Sequence, residues 1–326
     1  MKTATVYTIL LVLLVGASVG ALLVGHGSLS DPAMRATLLE LRATRVAAAL
    51  LAGAALAVGG VVVQGVFRNP LASPSILGTT AGASLGGQVA LLALAWGGIG
   101  SSASSEMVLP LGCLLGSGLA LAVVLVFCRE RTGPLMLILT GFILSSLFLA
   151  LAGFVTSLAQ DQWDLSRAVV SFTLGGVAGT SLRQVIAALP FVLVGLLACW
   201  GWSGTLDMLL SGEDEARTLG VEVGQARRWA VTWVAVLTSS AIAVGGNVAF
   251  VGLVVPHVLR PWVGVRHRRL IPAAALLGGT FLVGCDLVAR IVPSRSELPL
   301  GVVTGIIGAP TFLYLLVRSQ REALHG

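Results

Sequence analysis

Lysine is all but missing from this 326-residue chain: Lys2 is the only one. A GxxxxGK[ST] phosphate loop therefore cannot exist, and the chain is not itself a P-loop ATPase. Charge of either sign is scarce, at 10% of residues where soluble domains carry ~25%. That excludes an ordinary soluble enzyme and an acidic or disordered tail protein. The four histidines (His26, His257, His267 and His325) are scattered, with no HExxH and no paired Cys/His spacing. No metal site or hydrolase has a candidate constellation. Cys113, Cys128, Cys199 and Cys285 lie in or at the ends of apolar runs without a CxxC pair, and read as small packing residues. Carboxylates are nearly absent from the apolar runs, Asp286 being the main exception. It precedes Arg290 by four residues, the spacing that stacks two side chains on one helix face as an ion pair. A proton relay needs more than one buried carboxylate, so ion-coupled movement is disfavoured.

What is abundant is apolar. Hydrophobic residues make up 56% of the chain, and mean hydropathy is +0.97. Glycine, at 41 residues, is roughly twice its usual ~7% share and lacks the three-residue period of collagen. This is the composition of an all-α polytopic membrane protein. Apolar runs cover Val6–Val24, Val46–Phe67, Gly78–Trp96, Met107–Phe127 and Leu135–Leu158. Others cover Val185–Trp202, Trp229–Val244, Val248–Val263, Leu270–Ile291 and Leu300–Val317. At ~20 residues per span, about ten transmembrane helices use roughly 200 residues, leaving no room for a separate soluble domain. Residues 1–326 form one membrane domain. The first run is read as a span rather than a secretory signal, because it is long and many spans follow.

The net charge of +6 and pI near 9.9 point to a membrane surface rather than nucleic acid, because the basic residues lie between apolar runs. An N-terminus inside places 13 of the 20 basic residues inside, Lys2, Arg68 and the Arg266–Arg269 run among them. Arg35, Arg42, Arg45, Arg167, Arg183, Arg290 and Arg295 fall outside. The bias puts both termini in the cytoplasm, as an even number of spans requires. The spacings Gly82–Gly86, Gly112–Gly116 and Gly301–Gly305 allow close helix packing and nothing more specific.

Three segments carry further information. In Arg68–Gly78, Asn69-Pro70 initiates a turn, and Pro70 and Pro74 disfavour helix before them. In Leu206–Arg228, Ser211 with Asp214 reads as a capping box, Glu213 to Glu215 suit a helix N-terminus, and Gly220 can close that helix. Val221–Arg228 reads as a second short helix. In Gly246–Arg260, Pro256 predicts a kink or break, and His257 beside it reads as a structural hydrogen-bonding group. Glu297–Thr304, with Pro299 and Gly301, opens the last run, which Gly308–Phe312 interrupts.

Together these segments resemble the membrane subunit of type II ABC importers, the FecCD-type permeases for iron chelates, haem and cobalamin. The resemblance runs from Arg42 to Phe312, with Asn69, Pro70, Pro74, Gly78, Pro256, His257, Pro299 and Gly301 in its most specific stretches. It implies the type II permease fold and a homodimer in a bacterial inner membrane, with two ATP-binding subunits beneath it. A substrate-binding protein would dock outside. The chain binds no cofactor of its own, ATP and Mg²⁺ belonging to the ATPase subunits. Arg42-Ala43-Thr44-Arg45 resembles the family's Arg-Leu-Pro-Arg lead-in to the second span, departing at Ala43 and Thr44. Arg42, Arg45 and Arg290 are then expected to meet acidic residues of the binding protein, against pairing with Glu40 and Asp286 or with lipid phosphate. Coupling helices over about residues 207–228 would place Glu213, Ala216, Arg217, Leu219 and Gly220 against the ATPase. Transport would proceed by alternating access, past small residues such as Gly175, Gly176, Ala178 and Gly179. The competing readings are an ion-coupled secondary transporter, whose broken helices these prolines also fit, and an intramembrane enzyme, for which no acid–base pair is found. No Met, His or Tyr cluster points to haem. An iron–siderophore complex is the default cargo, before haem and cobalamin.

Overall fold

The computed structural model describes residues 3–25, 32–97, 105–127, 134–292 and 297–325. Lys2, His26, Cys128, Arg129, Arg131 and Arg295 lie outside them. The described residues form α1 (Thr3–Leu23), α2 (Pro32–Val66), α3 (Thr79–Trp96), α4 (Ser105–Phe127) and α5 (Pro134–Ala159). Next come α6 (Trp163–Leu174), α7 (Leu182–Gly201), α8 (Ser203–Ser211) and α9 (Glu213–Thr218). The last four are α10 (Val223–Gly245), α11 (Val251–Val263), α12 (His267–Ile291) and α13 (Leu300–His325). A 3₁₀ turn, Pro74–Leu77, stands between α2 and α3. A chain this apolar must satisfy its backbone within each segment when it enters lipid, and helices do so.

By length and composition 7 helices can cross a membrane: α1, α2, α4, α5, α7, α10 and α12. They divide by burial. α2 and α10 are mostly enclosed by other helices, whereas α1, α4, α5 and α7 turn large apolar side chains outward. The enclosed helices meet neighbours through glycine. A Cβ on Gly53 of α2 would collide with the Gly278 carbonyl of α12, and one on Gly60 with the Gly252 carbonyl of α11. Gly82 and Gly86 of α3 pack on Gly116 and Gly112 of α4, so the two spacings singled out in the sequence face one another. Gly301 is similarly packed, but a Cβ on Gly305 would meet nothing.

Two hydrogen bonds define the ends of the bundle. Tyr7 Oη donates to the Arg269 carbonyl at 2.6 Å, and Arg290 Nη1 to the Ala21 carbonyl at 2.9 Å. α1 and α12 therefore run parallel. His267 N donates to Asp207 Oδ1 at 2.8 Å, which puts α8 at the Tyr7 end. Arg290 marks the opposite end.

Several expected boundaries are corrected. α2 begins at Pro32, so Arg42 and Arg45 lie inside a 35-residue helix rather than ahead of it. The run Val248–Val263 is helical only from Val251. At 13 residues α11 rises about 20 Å, short of the ~30 Å hydrocarbon core. α6 was not anticipated at all. The capping box lies at Ser181–Gln184, opening α7, and not at Ser211, which ends α8 while Gly212 precedes α9. The paired short helices are α8 and α9. Val223–Arg228 is the first part of α10. Finally, α13 runs unbroken through Pro310.

Candidate functional site

At the Arg290 end the three arginines turn inward. Arg42 donates from Nη1 to the carbonyls of Leu22 and Leu23, both at 3.0 Å, and from Nη2 to that of Gly25 at 3.1 Å. It thereby closes the C-terminus of α1, where carbonyls lack helical partners. Arg45 reaches Asp286 Oδ1 from Nε and Nη2, both at 2.8 Å, and Glu297 Oε2 from Nη1 at 2.7 Å. Arg290 donates to the second Asp286 oxygen and to Ala21. Asp286, 1% exposed, thus joins two guanidinium groups from two helices. The i,i+4 pair read from the sequence exists, with Arg45 added to it.

Just inward, backbones converge. Gly176 N donates to the Gly245 carbonyl at 2.9 Å, and Leu300 N to the Gly175 carbonyl at 2.8 Å. A Cβ on Gly301 would strike the Leu174 carbonyl. Only glycine lets the α6–α7 link and the start of α13 come so close. The Pro299 carbonyl accepts from Val302 N and Val303 N at 3.1 and 3.2 Å, capping α13.

The proline segments solve a different problem. Asn69 Oδ1 accepts from Leu71 N at 2.9 Å, forming the turn that Asn-Pro predicts. Pro74 opens the 3₁₀ turn and packs between Gly59 and Gly252. Gly78, at φ +76°, ends that turn and starts α3 in a conformation that disfavours a Cβ. Within α11, Pro256 has no N–H to offer the Gly252 carbonyl. Gln64 of α2 offers one instead, its Nε2 donating to that carbonyl at 3.1 Å, while Arg260 donates to Gln64 Oε1. Of the kink or break expected at Pro256 there is no break: the helix continues, and a neighbour supplies the missing donor. Replacing buried Gln64 by leucine is therefore expected to cost ~1–3 kcal/mol. Thermal unfolding would measure the loss, and adding Pro256→Ala, which restores the backbone donor, should recover part of it. A Gln64→Leu protein as stable as the parent would contradict this account. His257, expected to hydrogen-bond, instead leaves its buried Nδ1 without a partner among the described residues.

Between the two ends runs a cavity of about 550 Å³, bounded by α3 and α5 and reaching from Ser75 to Thr173 and Asn247. Its described lining carries no charged side chain. Apolar side chains such as Phe142 and Leu149 form one wall. The other bears hydroxyl and amide groups. Gln88, 1% exposed, donates from Nε2 to Thr173 Oγ1 at 3.0 Å. Gln88 Oε1 and Thr80 Oγ1 are buried with no partner among the described residues. Such a surface can hydrogen-bond a passing solute without trapping it on a fixed charge.

At the other end, α9 is fixed to the bundle on one side only. Glu213 pairs with Arg227 of α10, Ala216 is buried, and Trp202 stacks on Trp229 at 4.0 Å. Val221 N donates to the Ala216 carbonyl at 2.9 Å and Gly220 N to that of Arg217 at 3.0 Å, with Gly220 at φ +86°. This is the Schellman closure expected of Gly220. Arg217, Leu219 and Gly220 face outward. Burial alone would raise the Asp207 carboxyl, but the hydrogen bonds and charge of His267, with Arg266 nearby, hold it below the usual carboxylate range. Its contribution to stability is present above the unfolded value of about 3.9 and is lost as acid lowers the pH through the folded one.

The sequence model of the FecCD transport family matches residues 4–318. The chain belongs to that family. This FecCD chain is 42% identical over 283 residues to the Fe(3+) dicitrate transport system permease protein FecD of Escherichia coli (strain K12), across 87% of this chain and 86% of that one. To the hemin transport system permease protein HmuU of Yersinia pestis it is 36% identical over 330 residues, 97% of this chain and 96% of that protein. Among solved structures, one assigned to the metal-chelate type of ABC transporter, in an inward-facing conformation, superimposes with a TM-score of 0.86 at 33% identity. It covers 97% of this chain and 99% of that one. The FecCD fold is thus that of an ABC importer permease, a multi-pass membrane subunit and not an enzyme in itself.

Of the motif positions in the FecCD chain, Pro74, Gly78 and Gly301 lie at close approaches between segments, whereas Asn69 and Pro70 form a turn at the surface. Its polar linchpins went unread. Gln64 and Gln88 sit in apolar runs with no local partner, and their partners lie 188 and 85 residues away. Glutamine within a span was the available signal, since an amide in lipid must be satisfied.

Proposed function

We propose that the chain forms, as a homodimer, the membrane-spanning part of an ATP-driven importer that brings a metal chelate into a bacterial cytoplasm through the inner membrane. Two ATPase subunits holding ATP and Mg²⁺ would sit against the α8–α9 end, with both chain termini on the same, cytoplasmic, side. A substrate-binding protein would dock at the Arg290 end. The observation that carries this reading is the uncharged cavity between those ends, whose lining includes the exposed Phe142 and Leu149 that a second copy would cover. An iron chelate is the first candidate cargo, because the E. coli relative is named for ferric dicitrate; haem and cobalamin follow from other relatives. A cavity of about 550 Å³ lies within the ~300–1,000 Å³ range of small-molecule sites. Of the docking arginines, Arg45 has the accessible role: its side chain is 14% exposed, and it would exchange Glu297 for a carboxylate of the binding protein. Arg42 and Arg290 would hold the surface in shape.

Alternating access then needs the cavity to face each side in turn. ATP binding can shift that balance only through its different affinity for the two states, delivered at α8 and α9. The test is uptake of radiolabelled iron chelate by proteoliposomes holding the dimer, its ATPase and its loaded binding protein. Uptake should require ATP and all three components. Asn247→Leu, which removes an exposed amide from the cavity lining, should lower chelate uptake about 5-fold, a loss of ~1 kcal/mol in one hydrogen bond, while binding-protein docking is retained. Uptake without the ATPase, driven by an ion gradient, would establish the secondary-transporter reading instead.

A further inference from the structure

Arg266, Arg268 and Arg269 gather at the start of α12, all three exposed. With Trp200, Gly204 and Asp207 they line a cavity of about 610 Å³, separate from the one between α3 and α5. Three positive groups face one carboxylate, and that carboxylate is already engaged by His267 Nδ1 at 2.7 Å. Among the described residues none of the three guanidinium groups forms a hydrogen bond or a salt bridge with a side chain. With Arg266 acting on Asp207, the pocket still carries an excess of positive charge and guanidinium donors not bonded to side chains, the chemistry that suits an anion.

Its surroundings say which kind of anion. Trp200 Nε1 donates to the Arg268 carbonyl at 3.1 Å, and Tyr7 Oη to the Arg269 carbonyl at 2.6 Å. The two amphipathic rings are pinned at the level of the arginines, where such rings mark the boundary between hydrocarbon and water. Below that level, α1 exposes Ile9 and Val12 and α7 exposes Leu197. A ligand in this pocket would have its anionic head among guanidinium forks, which match phosphate oxygens in pairs, and apolar surface beneath it. A free anion would make no use of that surface. We propose that this pocket binds the phosphodiester headgroup of an anionic phospholipid, with its acyl chains lying along α1 and α7. Because His267 ties the start of α12 to Asp207 of α8, the lipid would sit against the support of the short helices.

The test is native mass spectrometry of the dimer released from nanodiscs of phosphatidylglycerol mixed with phosphatidylcholine, alongside thermal unfolding. The parent protein should retain phosphatidylglycerol through delipidation, and its melting midpoint should rise when that lipid is restored. Replacing all three arginines by glutamine should weaken retention on the order of 100-fold, from the summed attraction of three basic groups at a lipid surface. The matching triple lysine variant keeps the charge, controls for folding, and should hold the lipid at intermediate strength. Equal retention by the glutamine variant would overturn the proposal. So would displacement of the lipid by millimolar inorganic phosphate, which would mark a simple anion site. Loss of ATPase binding with lipid retention unchanged would reassign the surface to a protein partner.

Discussion

Asp286→Ala is expected to destabilise the protein by about 3–5 kcal/mol, the usual cost of removing one partner from a buried ion pair. The carboxylate is 1% exposed and accepts from both Arg45 and Arg290. Without it two guanidinium groups would lie in one poorly solvated space, and their repulsion there is screened far less than at the surface. Glu297 stays with Arg45 and the Ala21 carbonyl with Arg290, so the network would loosen rather than vanish. Asp286→Asn keeps an acceptor but not the charge and should fall between. The exposed pair of Arg183 with Glu106, at 3.9 Å, supplies the contrast: Arg183→Ala should change stability by no more than about 0.5 kcal/mol. Thermal unfolding in one fixed detergent and lipid mixture reads all three variants. An Asp286→Ala protein that melts with the parent would show that the network stabilises nothing.

The same residue shows what a sequence can disclose. Asp286 and Arg290 are four apart on one helix, and their pairing was readable because helical geometry is local. Arg45 lies 241 residues from Asp286, and nothing in either neighbourhood announces it. Glycine behaves likewise: the spacings in α3 and α4 showed that each helix could be approached closely, but not that each would choose the other. Hydropathy has its own blind spot. α1 faces outward along most of its length and α2 is enclosed, yet both register as apolar runs, because lipid and protein interior select the same side chains. For that reason α11 passed for a full span and the polar-flanked α6 went unseen. Arg42 and Arg45 looked like loop residues because charge normally ends a span. Inside α2 their charge is met by carbonyls and carboxylates from α1, α12 and the Glu297 segment, partners that become visible only after folding.

Leu219→Asp should uncouple the transporter while leaving its stability intact. Leu219 is 62% exposed, so an aspartate there buries no charge and should shift stability by no more than about 0.5 kcal/mol. The loss should appear in the complex. α9 is held from behind by Glu213 on Arg227 and by the Schellman turn at Gly220, and of the exposed residues Asp214, Glu215, Arg217, Thr218 and Leu219 at its outer side only Leu219 is a large apolar group. An exposed leucine on a short projection is suited to be the central apolar anchor of an interface, and such anchors are worth ~2 kcal/mol or more. Substituting a charge should lower ATPase association about 30-fold, with ATP-driven uptake falling in proportion. Gly220→Ala separates orientation from chemistry: it leaves Leu219 in place but forces a Cβ into left-handed backbone, at a cost of ~1–2 kcal/mol. If the anchor must point correctly, this variant should also lose uptake, though less severely than Leu219→Asp. Co-purification with the ATPase and proteoliposome uptake would be compared for both. Should Leu219→Asp bind the ATPase and transport at the parent's rate, α9 is not the contact through which force reaches the membrane helices.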